Sequence, residues 1–396
     1  MEAPTPNEQT PPPADGNASE RAELAKSHRA WLHAFAVALV IMIYILVCLG
    51  GTVTSKNAGL AIADAPTTHG HNLFLAPFDQ WSVGGGKWEH SHRLVGSVVG
   101  MLSIILFAAF WLVEKRRPWL IYLGSALLAM IVIQGLMGGF RVSAMSTSLA
   151  IIHGIFGQIV FCAAIVVAAA TGRHWRNQAA EGAMLDAASA ADPSIKTPLP
   201  PAIIKARRAG VALLLILLVQ LTLGSATRHT GATMAIPDFP ANYGGVFPPM
   251  SQPALDQAVA AMAPDSPVVL MQPTVRQVHT HFGHRLWAIV VVVAVGWMMY
   301  RLGPLVSRKN RLGAPATWLV LLLVVQIAAG ALVIWTGRRP SVATLHQSVG
   351  ALTLGVATWL ATRVYLAREL ADQDEVAGTP ATKPAVAEAS QRPAAT

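Results

Sequence analysis

Four histidines in matched sequence surroundings are the residues of this chain most suited to chemistry. His92 and His284 each open a His-Arg-Leu triplet, whereas His153 and His346 each follow a segment with a Gln-x-x-x-Gly element. Each stands just inside one end of a long apolar segment, where an ionisable group is a functional candidate by default. Neutral imidazole is a good iron ligand, and bis-histidine haem suits sites between bundle helices. We therefore predict a first haem site at His92 and His153. A second would lie at His284 and His346, although hydrogen bonds between helices are an alternative role for all four.

The sequences around the two His-Arg pairs differ at one position, which holds a carboxylate in only one of them. When the two His-Arg pairs are aligned, Glu89 falls opposite His281, so only one histidine has an acid three residues before it. Glu89 and His92 lie on the same face of the helix if the helix begins at or before Glu89. Glu89 could carry protons or stabilise a cationic intermediate, or it could favour the helix N-terminus, where a carboxylate is stabilising anyway. The asymmetry suggests one working site and one supporting site.

The elements that position these residues are transmembrane helices. The chain is 53% hydrophobic and 12% charged, and its apolar runs of about 20 residues match the span of a bilayer core. Backbone groups in lipid must be satisfied within the segment, which favours helices. We predict an all-α integral membrane protein with eight transmembrane helices. Their ranges are 31–51, 90–113, 118–140, 147–171, 208–227, 282–302, 315–336 and 342–366.

The net charge of +9 reflects topology rather than a site for nucleic acid. The basic clusters fall on alternate sides of successive helices, so all of them lie on one face. The positive-inside rule makes that face cytoplasmic and places both termini there. The loops 52–89 and 228–281 are then outside. A bacterial cytoplasmic membrane is the simplest location, since the N-terminal segment does not resemble a transit peptide.

Two arginines on the outer side run against this charge distribution. Arg93 and Arg285 directly follow two of the candidate ligands. Haem propionates near the surface would explain them, because guanidinium binds carboxylate bidentately. Snorkelling to the membrane interface is the alternative.

An Ala- and Pro-rich loop divides the chain into two halves that align with each other. Segment 62–66 matches segment 236–240, and the Asp-containing turns within them, at Asp64 and Asp238, are expected to be structural parts of a lid. Because each half has four helices, both halves begin on the same side of the membrane and cross it in the same directions. We therefore predict two pseudo-symmetric four-helix bundles. The expected boundaries are a disordered tail at 1–30, an N-terminal half at 31–171, a cytoplasmic linker at 172–207, a C-terminal half at 208–366 and a disordered tail at 367–396.

Several motifs occur in a fixed order along the chain. They are Gly50-Gly51-Thr52-Val53-Thr54, the segment from Glu89 to Gly96, the segment from Gln134 to Gly138, His153 and the turn at 237–240. Together they resemble the haem A synthase family (CtaA/Cox-type), and the resemblance covers about residues 31–366. It implies an oxidoreductase that converts the C8 methyl of haem O to a formyl group, giving haem A for cytochrome oxidase. Two successive hydroxylations followed by loss of water are the expected reaction.

The resemblance also implies roles for the site residues. The N-terminal pair His92/His153 would bind the substrate haem O, and the C-terminal pair His284/His346 would bind haem B. Glu89 carries over as the family's glutamate. A farnesyltransferase that makes haem O and an oxidase assembly factor are the protein partners it implies.

The chain departs from the family pattern in its cysteines. The first outer loop lacks the cysteine pair that many members carry, so no mechanism that needs a thiol pair there can operate. Cys48 and Cys162 lie inside predicted helices, and we expect buried inert thiols rather than a disulfide between them.

Two other functions stay open at this point, a non-catalytic dihaem b-type electron carrier and a haem carrier that only hands haem on. A transmembrane electron carrier should place ligands near both faces. All four candidates here lie near one face.

Overall fold

A computed structural model describes residues 16–114, 117–173, 175, 199–306 and 312–366. Eight long helices dominate these residues, and each is long and apolar enough to cross a bilayer by length and composition. We label them α1 Gly16–Ser55, α2 Gly86–Val113, α3 Pro118–Ala144, α4 Thr147–Thr171, α5 Pro201–His229, α6 Val275–Leu302, α7 Gly313–Trp335 and α8 Pro340–Leu366. The prediction of an all-α protein with eight membrane helices is confirmed.

Three helices begin seven or more residues before their predicted starts: α1, α5 and α6. Helix α6 begins at Val275, where Thr274 and Gln277 form a capping box. Helix α1 begins at Gly16, within the expected disordered tail, because the stretch that follows is rich in the strong helix formers Ala, Glu, Arg, Leu and Lys. Helix α5 begins at Pro201, within the expected linker, where a proline at the first helical position is favourable. Most of the linker and the whole of the tail 367–396 lie outside the described residues.

The helices of each half pack in the same cyclic order. In the first half α1 contacts α2 and α4, and α3 contacts the same two helices. In the second half α5 contacts α6 and α8, and α7 contacts those two. The halves meet where α8 packs against α1 and α4, and where α4 packs against α5. Each half is therefore a bundle of four helices in the same arrangement.

The two largest apolar cores fill the ends of the bundles away from the histidines, which we call the inner ends. Phe110 near the end of α2 is fully buried, and it packs so closely on Gly124 of α3 that an added Cβ there would lie 2.5 Å from its ring. Met298 of α6 and Leu360 of α8 are buried in the corresponding part of the second half. The histidines lie at the opposite, outer ends of the helices.

The outer loops fold over these ends through two similar turns. Asp64 accepts hydrogen bonds from the backbone N–H groups of His69 and Gly70, and Asp238 accepts them from Tyr243 and Gly244. Both glycines have positive φ, of +81° and +74°, which glycine adopts without steric cost. The prediction that both aspartates are structural turn residues is confirmed.

The electrostatics of the turns agree with this structural role. Burial alone would raise the pKa of Asp64, but hydrogen bonds from Gly70, Thr67 and His69 outweigh it and hold the pKa well below its ordinary range. In the second loop, burial and the nearby Asp238 raise the pKa of Tyr243 to about 12. The Tyr243 hydroxyl donates a hydrogen bond to the Ala235 carbonyl at 2.7 Å. Asp64 thus stays ionised, and Tyr243 stays neutral, at physiological pH.

Candidate functional site

The four candidate ligands lie at similar depth beneath the outer ends of their helices. His92, His153 and His346 are each the seventh residue of a helix, and His284 is the tenth. At about 1.5 Å of rise per residue, the four histidines lie roughly 9–14 Å along the helix axis from the first residue of their helices. The structure brings them together in the two predicted pairs.

The second pair has the geometry of two ligands on one iron. The ring centroids of His284 and His346 are 6.4 Å apart, and the ring planes are inclined at 89°. An imidazole nitrogen binds a metal at about 2 Å and the ring centre lies about 1 Å further, so rings on opposite sides of one metal have centroids about 6 Å apart. The residues present therefore fit a bis-histidine haem.

The two rings of the second pair have different hydrogen-bond partners. Nδ1 of His346 lies 3.2 Å from the Gln326 carbonyl, to which it can donate. A proton on Nδ1 leaves Nε2 of His346 free to bind iron. The Gln220 side-chain amide instead donates to Nδ1 of His284 and to the His284 carbonyl, both at 3.2 Å. Gln220 thus orients the ring of His284.

The first pair is held differently. His153 lies within electrostatic range of His92, but its Nδ1 is buried with no hydrogen-bond partner among the described residues. The Gln134 amide donates firmly to the His153 carbonyl at 2.9 Å and lies only loosely, at 3.4 Å, from Nε2. The ring of His153 is therefore less strongly oriented than the ring of His346.

Each histidine packs against a glycine on a neighbouring helix. Gly50 faces His92 and Gly138 faces His153, and an added Cβ would lie 3.2 Å and 3.3 Å from the respective imidazoles. In the second half Gly224 faces His284 and Gly330 faces His346, with corresponding distances of 2.9 Å and 3.0 Å. Larger side chains would push the rings out of position. The small residues make room for the imidazoles as well as for close packing of the helices.

Gly224→Ala is expected to weaken haem retention at the second pair about tenfold, because the new methyl overpacks the site by the order of 1–3 kcal/mol and displaces His284. Gly296→Ala is the matched control in the same half, since no atom lies within 4 Å of an added Cβ there. Haem transfer to an acceptor protein, followed by absorbance, would compare the two variants. Equal retention would contradict the packing argument.

Glu89 lies in the first turn of α2 and is 5% exposed. One carboxylate oxygen accepts a hydrogen bond from the Ile62 N–H at 3.0 Å, and the other pairs with Arg93 at 2.8 Å. The expectation that the helix already includes Glu89 is confirmed. The side chain does not cap its own helix; it ties the first outer loop to the mouth of the first pocket.

His281 occupies the equivalent position in the second half and is 4% exposed. The Ile236 N–H points to its Nδ1 at 3.3 Å, and Nε of Arg285 lies 3.3 Å from its Nε2. These contacts correspond to those of Glu89 with Ile62 and Arg93. The two halves therefore make corresponding contacts at this position, but the side chain there is a carboxylate in the first half and an imidazole in the second.

The two outer arginines hold the loops. Arg93 donates to the carbonyls of Ile62, Asp64 and Thr67 at 2.5–3.0 Å. Arg285 donates to the carbonyls of Ile236 and Ala241 and to the side chain of Asn242. The terminal nitrogens of both guanidinium groups thus have partners within the chain. Both side chains therefore anchor the outer loops, and their pairing with haem propionates stays a prediction.

Comparison with known proteins shows that this chain matches a protein family. Residues 85–358 match the COX15-CtaA family, described as cytochrome oxidase assembly protein. The chain belongs to this family. It is similar to a protein named heme A synthase from Symbiobacterium thermophilum, with 26% identity over 76% of this chain and 85% of the relative. Relatives of the same name from Chelativorans sp. and Novosphingobium aromaticivorans share 23% and 26% identity over 86% and 69% of this chain and 93% and 71% of their own.

Some residues around the pockets of this COX15-CtaA protein were missed by sequence reasoning. Gln220 contacts His284, but it has no counterpart in the first half, where the aligned residue is Leu46. No repeat signal could therefore have found it. Cys48 and Cys162 are free, as expected, but both are half-buried instead of buried. Cys162 accepts a hydrogen bond from the Thr358 hydroxyl at 3.2 Å.

Proposed function

We propose that this protein is a haem A synthase, a multi-pass membrane oxidoreductase that oxidises the C8 methyl of haem O to a formyl group by successive hydroxylations. The observation that carries the proposal is a carboxylate in only one of two matched pockets. Membership of the COX15-CtaA family and the names of its curated relatives support the same reaction.

The substrate haem O is assigned to His92 and His153, and a resident haem B to His284 and His346. The support for this division is the difference in how the rings are held. A permanent cofactor needs ligands fixed in one orientation, as the Gln326 carbonyl fixes His346 in the second pair. A substrate that must enter and leave suits the more weakly oriented His153. When bound, haem B would supply reversible one-electron chemistry to the neighbouring site.

Glu89 is the proposed catalytic residue. Its carboxylate is buried and lies three residues before His92, at the mouth of the first pocket. An anion in that position can stabilise positive charge that develops on the substrate, or accept a proton released during oxidation. His281, a neutral counterpart at the equivalent place, would not provide a negative charge in the second pocket.

The membrane arrangement proposed with this function places both termini in the cytoplasm and the histidine pairs toward the outer face of a bacterial cytoplasmic membrane. The support is the positive-inside distribution of the basic clusters. A haem O-producing farnesyltransferase upstream and an oxidase assembly factor downstream are the proposed partners. Lipid surrounds the helices, many of whose large apolar side chains are exposed.

The haem content of the purified protein tests the function. After co-expression with a source of haem O, acid–acetone extraction with chromatography and mass spectrometry would identify each macrocycle. We expect haem B together with haem O, its hydroxylated form or haem A. Two haem B per chain and no modified haem would instead indicate an electron carrier, and absence of haem would overturn the histidine assignment.

A further inference from the structure

Three basic residues meet at the outer ends of the helices where the two halves join. Arg141 lies in the last turn of α3, and Arg228 and His229 are the last two residues of α5. Arg228 donates across the interface to the Gly51 carbonyl and the Ser55 hydroxyl of α1. A terminal nitrogen of Arg141 lies against Gly59, directly after α1. The outer end of α1 thus brings cations from both halves together.

These residues connect the two histidine pairs. Arg141 lies within electrostatic range of His92 and of His153. Arg228 lies within range of His346 in the second pair. His229 interacts with Arg141, Arg228 and His153. Arg141 and Arg228 therefore place one positive charge beside each histidine pair, with the His229 imidazole between them; we call these three side chains the cationic bridge.

Within the described residues, the carboxylate that acts electrostatically on the cationic bridge is Glu89, through Arg141, and Glu89 is itself paired with Arg93. The ion pairs in the described part of the chain are Arg93 with Glu89 and Arg117 with Glu114, so neither Arg141 nor Arg228 has a carboxylate within salt-bridge distance. Burying cations is costly unless an anion pairs with them. Because the membrane's basic excess belongs on the opposite face, the position of the bridge is not explained by topology.

The internal repeat does not explain the cationic bridge either. Aligned on the Gln-x-x-x-Gly elements, Arg141 falls opposite Val333. Aligned on the glycines that face the histidines, Arg228 falls opposite Thr54. Each half contributes one arginine at a position where the other half has an uncharged residue. Both arginines nevertheless lie at the junction between the pockets.

We propose that Arg141, His229 and Arg228 form one anion site that binds the propionate carboxylates of both haems. Arg141 takes a carboxylate from the haem in the first pocket, Arg228 takes one from the haem in the second, and His229 lies between them. This inference rests on the proposed function. It assigns propionate binding to the cationic bridge in place of Arg93 and Arg285, whose donors hold the outer loops.

Redox titration and haem retention of the purified protein, loaded by co-expression with a haem O source, test the cationic bridge. Arg228→Gln is expected to release haem B about tenfold faster, since a charge-assisted hydrogen bond is lost. It should also shift the haem B midpoint potential to lower values, because a nearby positive charge no longer favours the reduced form. Arg228→Lys, which keeps the charge, should restore most of the potential. Arg141→Gln should instead reduce the occupancy of haem O and leave the retention of haem B unchanged.

Two control variants separate this role from a structural one. Ser55→Ala removes a hydrogen-bond partner of Arg228 within the chain without changing charge, and it should leave the potential unchanged. Arg339→Gln makes the same chemical change at an exposed outer arginine and should also have no effect. Wild-type haem content with unchanged potential and retention in Arg228→Gln and Arg141→Gln would overturn the bridge and leave the synthase standing. A wild-type protein without haem would overturn the proposed function, and the bridge with it.

Discussion

Glu89→Gln is expected to lower the rate of haem A formation by about 100-fold or more, the usual effect of removing a group that transfers protons in the transition state. The amide keeps the size of the side chain but provides neither a negative charge nor a proton acceptor. The protein should retain its haem B, because Glu89 contacts the first outer loop and Arg93 rather than the second pocket. Conversion of haem O in membranes, followed by extraction and mass spectrometry, is the measurement.

Two further variants show whether the acid itself is needed. Among the described residues, the other ion pair joins Glu114 and Arg117 at the inner end of α2. Glu114→Gln removes the carboxylate of that pair and should leave the conversion of haem O unchanged. Arg93→Gln breaks the same ion pair as Glu89→Gln but keeps the carboxylate. Its activity should therefore exceed that of Glu89→Gln. Equal activity in these two variants would reduce Glu89 to an anchor of the outer loop, and wild-type activity in Glu89→Gln would remove it from the mechanism altogether.

His346→Ala is expected to abolish binding of haem B while the first pocket still takes haem O. Under the proposed assignment His284 and His346 each supply one ligand to haem B, and their ring centroids are 6.4 Å apart, so truncation of His346 removes one of the two ligands. The low-spin bis-histidine spectrum of haem B should disappear from the purified protein. His92→Ala should have the opposite effect, with haem B retained and haem O lost.

His279→Ala is the matched control for these ligand variants. His279 lies on α6 near its start and its side chain is exposed, so both haems should remain. If His346→Ala removed haem O and His92→Ala removed haem B, the two pockets would have to exchange their assignments. Loss of both haems in each single variant would mean that the halves do not bind independently.

Hydropathy and repetition were enough to predict much of this protein. Eight apolar stretches became eight helices, since lipid allows few other solutions for the backbone. The repeated His-Arg-Leu and Gln-x-x-x-Gly elements identified the histidines, and an alignment of the halves placed Glu89 opposite His281. The structure confirms that these two residues make corresponding contacts.

What sequence could not predict depends on distances between helices. Three hydrogen-bond partners of Arg93 are main-chain carbonyls 26–31 residues earlier in the chain. Because any residue type can supply a carbonyl, the sequence does not mark these partners. Gln220 reaches His284 across 64 residues from a position that has no repeat counterpart. The start of α5 at Pro201 was hidden because the polar residues around Lys205 interrupt the apolar run while remaining good helix formers.

The shared depth of the four histidines has an electrical consequence. Charge that moves through a membrane potential gains or loses about 2.3 kcal/mol per elementary charge per 100 mV, but only for the component of its path along the membrane normal. Ligands that lie on the sixth to ninth residue past their helix starts place a path between the two pockets nearly in the plane of the bilayer. An electron that passes between them does almost no work against the field. The exchange should therefore proceed at the same rate in energised and in de-energised membranes.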